Sequence, residues 1–166
     1  MRIRFVAAIV VLICAASTPV FAQMPAGRIK TVSGAAFIVR DGKAMAATPG
    51  QSVFASDNLR TGADGRLGVT LKDDTRLSLG PASELRVERF VYAPEAGGLS
   101  MVIKFVRGAA AYVSGRIAKL APDAVRLETP TAIVGVRGTT VAVLVTALAA
   151  LAAACAAKQA PTRRCR

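Results

Sequence analysis

The sequence predicts an all-β fold, an antiparallel β-sandwich or roll of about ten short strands. Short runs of apolar residues alternate with polar residues at period two, which is typical of strands with one buried face. Turn-forming glycine, proline and aspartate residues recur roughly every eight to twelve residues. No helical periodicity of useful length occurs before Thr146. The 166 residues are enough for one domain with its own core.

Residues 1–22 are predicted to be a secretory signal peptide. Two arginines precede a short apolar run, and the small residue Ala22 completes a cleavage site before Gln23. The apolar run is shorter than the ~20 residues that a membrane-spanning helix needs. We therefore expect a mature chain that starts at Gln23 in the periplasm or outside the cell. An uncleaved membrane anchor and lipidation at Cys14 are the alternatives.

Residues 23–145 are predicted to form the β domain. Its first half has short strands at residues 28–33, 36–40 and 51–54, separated by turns. In the middle, Leu67, Val69 and Leu71 alternate with less apolar residues up to a turn at Asp73-Asp74. The same alternation resumes in residues 77–79 and 85–87, which predicts an antiparallel meander with one solvated face.

The second half of this domain is predicted to contain a central strand. Residues 99–106 are apolar on both faces, so we expect a strand covered on both sides. A further strand at residues 109–114, a basic loop at 116–122 and a strand at 124–128 follow.

Residues 127–145 contain a change of face. Ala132, Val134 and Val136 share one face of an extended chain, whereas the later series Val141, Val143 and Val145 has the opposite parity. Such a change needs an extra residue or a sharp corner, which Gly135 or Gly138 can supply. The interpretation is two strands joined by a glycine corner that displays Arg137. A core strand pair with one exposed arginine is the alternative.

Residues 146–166 form an alanine-rich apolar and basic tail, predicted to be disordered or loosely helical. A membrane anchor over residues 141–157 and a frame-shifted end are the alternatives. Cys155 and Cys165 both lie in this tail, so no disulfide framework is expected in the domain, and their pairing stays open.

The charge and composition exclude several functions. The net charge is +12, but residues 23–146 hold 16 basic and 10 acidic residues, a net of +6. This predicts a mildly basic surface or, alternatively, one that attracts membranes or anionic envelope polymers, and the scattered charges disfavour nucleic acid. The chain has no histidine, and Asp73-Asp74 is predicted to be a turn. We therefore expect no enzyme activity, no cofactor and no metal.

Three motifs carry a resemblance to a known family. The segment at residues 129–139, the upstream segment at 50–62 and the hairpin at 71–79 together resemble FecR-type domains, although Asp74 stands where that family usually has glycine. The candidate structural or binding residues are those of the first two motifs: Asp57, Thr61, Gly62, Pro130, Gly135, Arg137, Gly138 and Thr139. Asp57 is expected to cap backbone N–H groups at a corner.

The resemblance implies a stand-alone periplasmic regulatory or binding module that acts through contacts with an envelope or receptor protein in envelope or iron-uptake signalling. The alternative function is a structural or carbohydrate-associated envelope module that binds anionic polymers through its basic surface.

Overall fold

The computed structural model describes residues 24–136 and 140–145. These residues form twelve strands, one short helix, and 3-10 turns at Pro94–Ala96 and Pro122–Ala124. The elements in chain order are β1 (Gly27–Ser33), β2 (Ala36–Arg40), β3 (Lys43–Ala46), β4 (Ser52–Val53), β5 (Asn58–Thr61), β6 (Arg66–Leu71), β7 (Arg76–Leu79), β8 (Glu84–Ala93), β9 (Gly98–Val113), α1 (Arg116–Leu120), β10 (Val125–Glu128), β11 (Ile133–Gly135) and β12 (Thr140–Val145). The predicted signal peptide, the tail with its two cysteines, and Arg137, Gly138 and Thr139 lie outside the described residues.

The strands form one curled sheet in the order β3-β2-β5-β8-β9-β7-β6-β1-β4, which confirms the predicted all-β fold. Strand β9 is its centre. The first part of β9 pairs with β8 and with β10, and the second part pairs with β7 and with β12. The β9–β10 pair is parallel, and the other described pairs are antiparallel. The two parts of β9 therefore connect two halves of the sheet.

The core lies between these two halves. Ile29, Val69 and Leu77 come from one half and are fully buried. Ile38 and Leu85 come from the other half and belong to the same apolar cluster. Because strand residues alternate between faces, one apolar row from each strand is enough to build this core. Within the described chain, no helix has the length and apolar character needed to cross a bilayer.

Strand β9 runs for 16 residues where the sequence predicted two separate strands. Met101, Ile103 and Phe105 are buried, but Val102 and Val106 are only half-buried, so the predicted cover on both faces is incomplete. The interruption that suggested two strands is Gly108, whose φ is 82°. This left-handed residue lets one strand leave the first half of the sheet and enter the second.

The hairpin predicted at Asp73-Asp74 is confirmed by the pairing of β6 with β7. Asp74 adopts a φ of 67°, the conformation for which glycine is usual at this position. The predicted meander beyond this hairpin is wrong, because β7 pairs with β9 whereas β8 pairs with β5 and β9. Alternation shows which face of a strand is buried, but it does not name the neighbouring strand.

Two other expectations need correction. The basic loop predicted at residues 116–122 contains helix α1, which is too short to show helical periodicity in the sequence. Strand β3 was not predicted, because all four of its residues are exposed and it has no alternating pattern to reveal it.

Candidate interaction site and its supporting contacts

Asp57 is buried at the corner before β5, where its side chain is 1% exposed. Its carboxylate accepts two hydrogen bonds from Arg40, from Nε to Oδ1 at 2.7 Å and from Nη2 to Oδ2 at 2.7 Å. The Phe54 N–H also donates to Oδ2, at 2.8 Å, which is the backbone cap expected of Asp57. The guanidinium of Arg40 lies 4.4 Å from the centre of the Phe54 ring. Asp57 therefore joins β2 to the corner before β5.

Sequence reasoning missed Arg40 as the partner of Asp57. The available signal was position, because Arg40 has the same parity as the buried Ala36 and Ile38 on β2. A charged residue at an inward position needs a partner. The hydrogen bond and the charge of Asp57 raise the pKa of Arg40 above its usual value, although burial opposes this rise.

Thr61 is buried at the end of β5 and contacts the turn between β7 and β8. Its hydroxyl donates to the Gly80 carbonyl at 2.7 Å and accepts from the Ser83 N–H at 2.9 Å. The Ser83 hydroxyl donates to the Ala109 carbonyl at 2.9 Å and accepts from the Ala109 N–H at 3.0 Å. We call Thr61, Gly62, Ser83 and Ala109 the threonine clamp. It connects β5, β8 and the bend of β9.

Gly62 completes this clamp through a close backbone approach. Its N–H donates to the Ala35 carbonyl at 2.8 Å, and its carbonyl accepts from the Ala82 N–H at 2.8 Å. A Cβ at this position would lie 2.9 Å from the Cβ of Ala35, so glycine is required for space. Asp57, Thr61 and Gly62 therefore hold the fold together through these contacts, and Thr61 and Gly62 also line a surface cleft beside Arg60.

Asp73 and Asp74 form the turn that the sequence predicted, but they differ in burial. Asp73 is buried and accepts from the Thr75 hydroxyl at 2.7 Å and from the Thr75 N–H at 3.2 Å. The Asp73 carbonyl accepts from the Arg116 N–H at 2.6 Å, which attaches the start of α1 to the hairpin. Asp74 is exposed, and its carboxylate lies 3.3 Å from Arg116 Nε. Among the described residues, no group of three or more His, Cys, Asp or Glu side chains could hold a metal ion.

The turn between β10 and β11 contains Pro130 and is closed by Thr129. The Thr129 N–H donates to the Ala132 carbonyl at 2.8 Å, and the Thr129 hydroxyl accepts from the Ala132 N–H at 3.0 Å. Pro130 is half-buried, and its ring fixes its own φ. This motif therefore closes the hairpin that joins β10 to β11.

Strand β11 is an edge strand in the described sheet, since it pairs with β10 alone. Ile133 on this strand is 69% exposed. A Cβ added at Gly135 would meet no atom within 4 Å, and Gly135 has no positive φ, so it provides neither the corner nor the close approach considered for it. A hollow of about 310 Å³ beside the edge is lined by Val125, Ile133, Gly135 and Val136, among others.

The strands before and after residues 137–139 bury residues of opposite parity, as the predicted change of face requires. Val136 is buried and Ile133 is exposed before them, whereas Val145 is buried and Leu144 is exposed after them. Even-numbered residues therefore face the core in β11 and at Val136, which follows it, whereas odd-numbered residues face the core in β12. The two strands also have different neighbours, since β11 pairs with β10 and β12 pairs with β9.

Comparison with known proteins identifies the family of this chain. A family model described as FecR protein matches residues 57–155, whereas no curated protein and no solved structure matches the chain. The matched segment begins at the buried Asp57 and includes the threonine clamp, the β6–β7 hairpin and the β10–β11 hairpin. It covers more than half of the sequence, and the chain therefore belongs to the FecR family.

Proposed function

We propose that this chain is a regulatory module of the cell envelope that acts through contact with another protein, and that the β10–β11 hairpin makes this contact. Membership of the FecR family supports a regulatory or signalling role of the kind found in iron-uptake systems. The exposed edge of β11, with Ile133 projecting from it, is the observation that carries the proposal. The envelope location rests on the predicted signal peptide.

An edge strand can bind a partner by strand addition. The free edge offers backbone N–H and C=O groups to an extended segment of the partner, and alternate side chains give specificity. Ile133 is the apolar side chain on this edge, and the adjoining hollow of about 310 Å³ has room for an apolar side chain of the partner. Gly135 leaves that side of the strand open.

The turn supports this function because it is already ordered. Three hydrogen bonds between Thr129 and Ala132 close the turn of the hairpin before a partner arrives. A preorganised strand loses less conformational entropy on binding than a flexible one.

Site-specific photo-crosslinking tests this proposal. A photoreactive amino acid replaces Ile133 in one variant and Leu144 in a control variant, because Leu144 is 72% exposed on the different strand β12. In cells that make the protein naturally, position 133 should give one discrete adduct, identified by mass spectrometry as an outer-membrane receptor or a membrane-bound regulator. Absence of a discrete adduct, or the same adduct from both positions, contradicts the proposed contact.

A further inference from the structure

A cleft of about 480 Å³ lies on the outer face of the sheet half that contains β2, β5 and β8. It is lined by Phe37, Val39, Ala44, Arg60, Ala82 and Arg107, among others. Phe37 is paired with Arg60, Arg60 with Glu84, and Glu84 with Arg107 in the strand register. Residues directly opposite each other share a face of a sheet. One row therefore brings an aromatic ring and two guanidinium groups to the same cleft, which we call the arginine cleft.

Glu84 holds both arginines of this cleft. Its Oε2 atom accepts a hydrogen bond from Arg107 Nε at 3.1 Å and lies 3.7 Å from Arg60 Nε. Its other oxygen accepts from Asn58 Nδ2 at 2.7 Å, which fixes the orientation of the carboxylate. Among the described residues, no acceptor is bonded to the Nη groups of Arg60 or Arg107. Their forked donors are therefore available to a ligand.

The charges in the cleft favour a ligand group that carries a single negative charge. Two arginines face one carboxylate, so the row has a net charge of +1. A guanidinium binds a carboxylate through two parallel hydrogen bonds, and this geometry also suits phosphate. A dianion would place excess negative charge beside Glu84, which favours a carboxylate over a doubly charged phosphate.

The strands that form the floor of the cleft present no free edge inside it. Strand β2 has β3 and β5 beside it, and β5 has β2 and β8, whereas the free edge at the rim belongs to β3, which contributes only the small side chain of Ala44 to the lining. The apolar part of the cleft is the Phe37 ring, which is 41% exposed, together with small aliphatic side chains. A compact ring with one apolar face and one carboxylate matches these features. The volume lies within the ~300–1,000 Å³ typical of small-ligand sites.

We propose that the arginine cleft binds carboxylate-bearing sugar units of an acidic glycan, a function that goes beyond the proposed protein contact. Phe37 covers the apolar face of a sugar ring, while Arg60 and Arg107 bind its carboxylate. The next row on the same face holds Arg86 and Lys104, which are paired in the register. It lies two residues further along β8, about 7 Å away, and three residues further along β9, because the register shifts between Glu84 and Leu85. Glu88 lies 4.0 Å from Lys104, so Arg86, Lys104 and Glu88 together add a net charge of +1 for a neighbouring acidic unit.

Titration calorimetry of the purified chain with a galacturonate tetrasaccharide tests this site. We expect saturable binding that weakens steeply with added salt and is lost with the methyl-esterified tetrasaccharide, which lacks the charges. The variants Arg60→Gln and Arg107→Gln should each bind about tenfold more weakly. Arg28→Gln on β1 removes the same charge from an exposed position outside the cleft and should change the affinity less than twofold.

Four results would overturn the proposal. They are the absence of saturable binding, equal binding of the methyl ester, an equal loss of affinity in Arg28→Gln, and tighter binding of a tetraglutamate peptide than of the tetrasaccharide. The ester comparison uses the unsubstituted chain, so it remains decisive even if an arginine variant folds poorly. None of these results depends on the β10–β11 hairpin. If the arginine cleft binds no acidic glycan, the proposed protein contact is still tested separately by the crosslinking experiment.

Discussion

The segment around Asp57, Thr61 and Gly62 and the β10–β11 hairpin both contain motifs by which the family is recognised, yet they differ in burial and in bonding. In the first region the polar groups are buried and satisfied by Arg40, Gly80 and Ser83. In the second, an exposed isoleucine lies on a strand with one neighbour among the described strands. A family motif can therefore maintain a fold in one place and present a surface in another. Substitutions in the first region should affect stability, and substitutions in the second should affect binding.

The largest effect is expected at the bend of β9, which the threonine clamp holds. At Gly108 the φ is 82°, and an added Cβ would lie 2.6 Å from the Cα of Ser83. Gly108→Ala should therefore lower the free energy of unfolding by about 3–4 kcal/mol, through backbone strain and a clash with main-chain atoms.

Gly50→Ala is the matched control for this prediction. Gly50 has a similar φ of 86°, but nothing lies within 4 Å of an added Cβ. It should lose only about 1 kcal/mol, the contribution of backbone strain alone. Urea denaturation of both variants gives the difference, and equal losses would show that the contact of Gly108 with Ser83 is unimportant.

The next largest effect is expected from Asp57→Asn. The substitution keeps the shape of the side chain but removes the negative charge opposite Arg40, whose side chain is 31% exposed. Because water can still reach Arg40, we expect a loss of about 2 kcal/mol rather than the ~3–5 kcal/mol typical of a fully buried pair. Asp123→Asn, at an exposed position, should change stability by less than about 0.5 kcal/mol. Similar melting temperatures for the two variants would contradict the structural role of Asp57.

A smaller loss of stability is expected from Thr61→Val, which replaces the hydroxyl with a methyl group of similar size. The Ser83 N–H and the Gly80 carbonyl then lose a partner in a buried site. The expected loss is about 1.5–2 kcal/mol. Thr140→Val on β12, where the side chain is exposed, serves as the control in the same denaturation experiment. A loss below about 0.5 kcal/mol at Thr61 would mean that water replaces the hydroxyl.

The sequence predicted which face of a strand is buried better than it predicted which strands lie side by side in the sheet. The alternation of Leu67, Val69 and Leu71 identified their buried side correctly, because period two is a local property of an extended chain. It could not show that β7 lies beside β9 rather than β8, since strand order depends on contacts between distant segments. The same limit explains why Asp57 was identified as a corner residue while its partner Arg40, 17 residues earlier, was not.

For the candidate site, the sequence singled out the segment and offered Gly135 or Gly138 as the residue at its corner. Gly135 does not supply this corner, and Gly138 lies outside the described residues. The change of face between Val136 and Val145 followed from parity, and the burial of both residues agrees with it. Glycine at a predicted corner suggests a special φ, but the same residue is also compatible with an open edge strand. Only the three-dimensional structure shows that Gly135 lies on an edge, because β11 has one neighbouring strand among the described residues and that neighbour cannot be inferred from the local sequence.

The smallest effect on stability and the largest on binding are expected at Ile133. Its side chain is 69% exposed, so Ile133→Ser removes little buried apolar surface and should change the free energy of unfolding by less than about 0.5 kcal/mol. If β11 is the contact strand, the same variant should weaken binding of the crosslinked partner by about tenfold or more, because an apolar residue at the centre of an interface contributes strongly. Leu144→Ser removes an equally exposed apolar side chain from β12 and should leave binding within twofold. Measuring both variants by denaturation and by partner affinity separates the two regions. If Leu144→Ser and Ile133→Ser weakened binding equally, the contact would involve a broader apolar surface and not the hairpin alone.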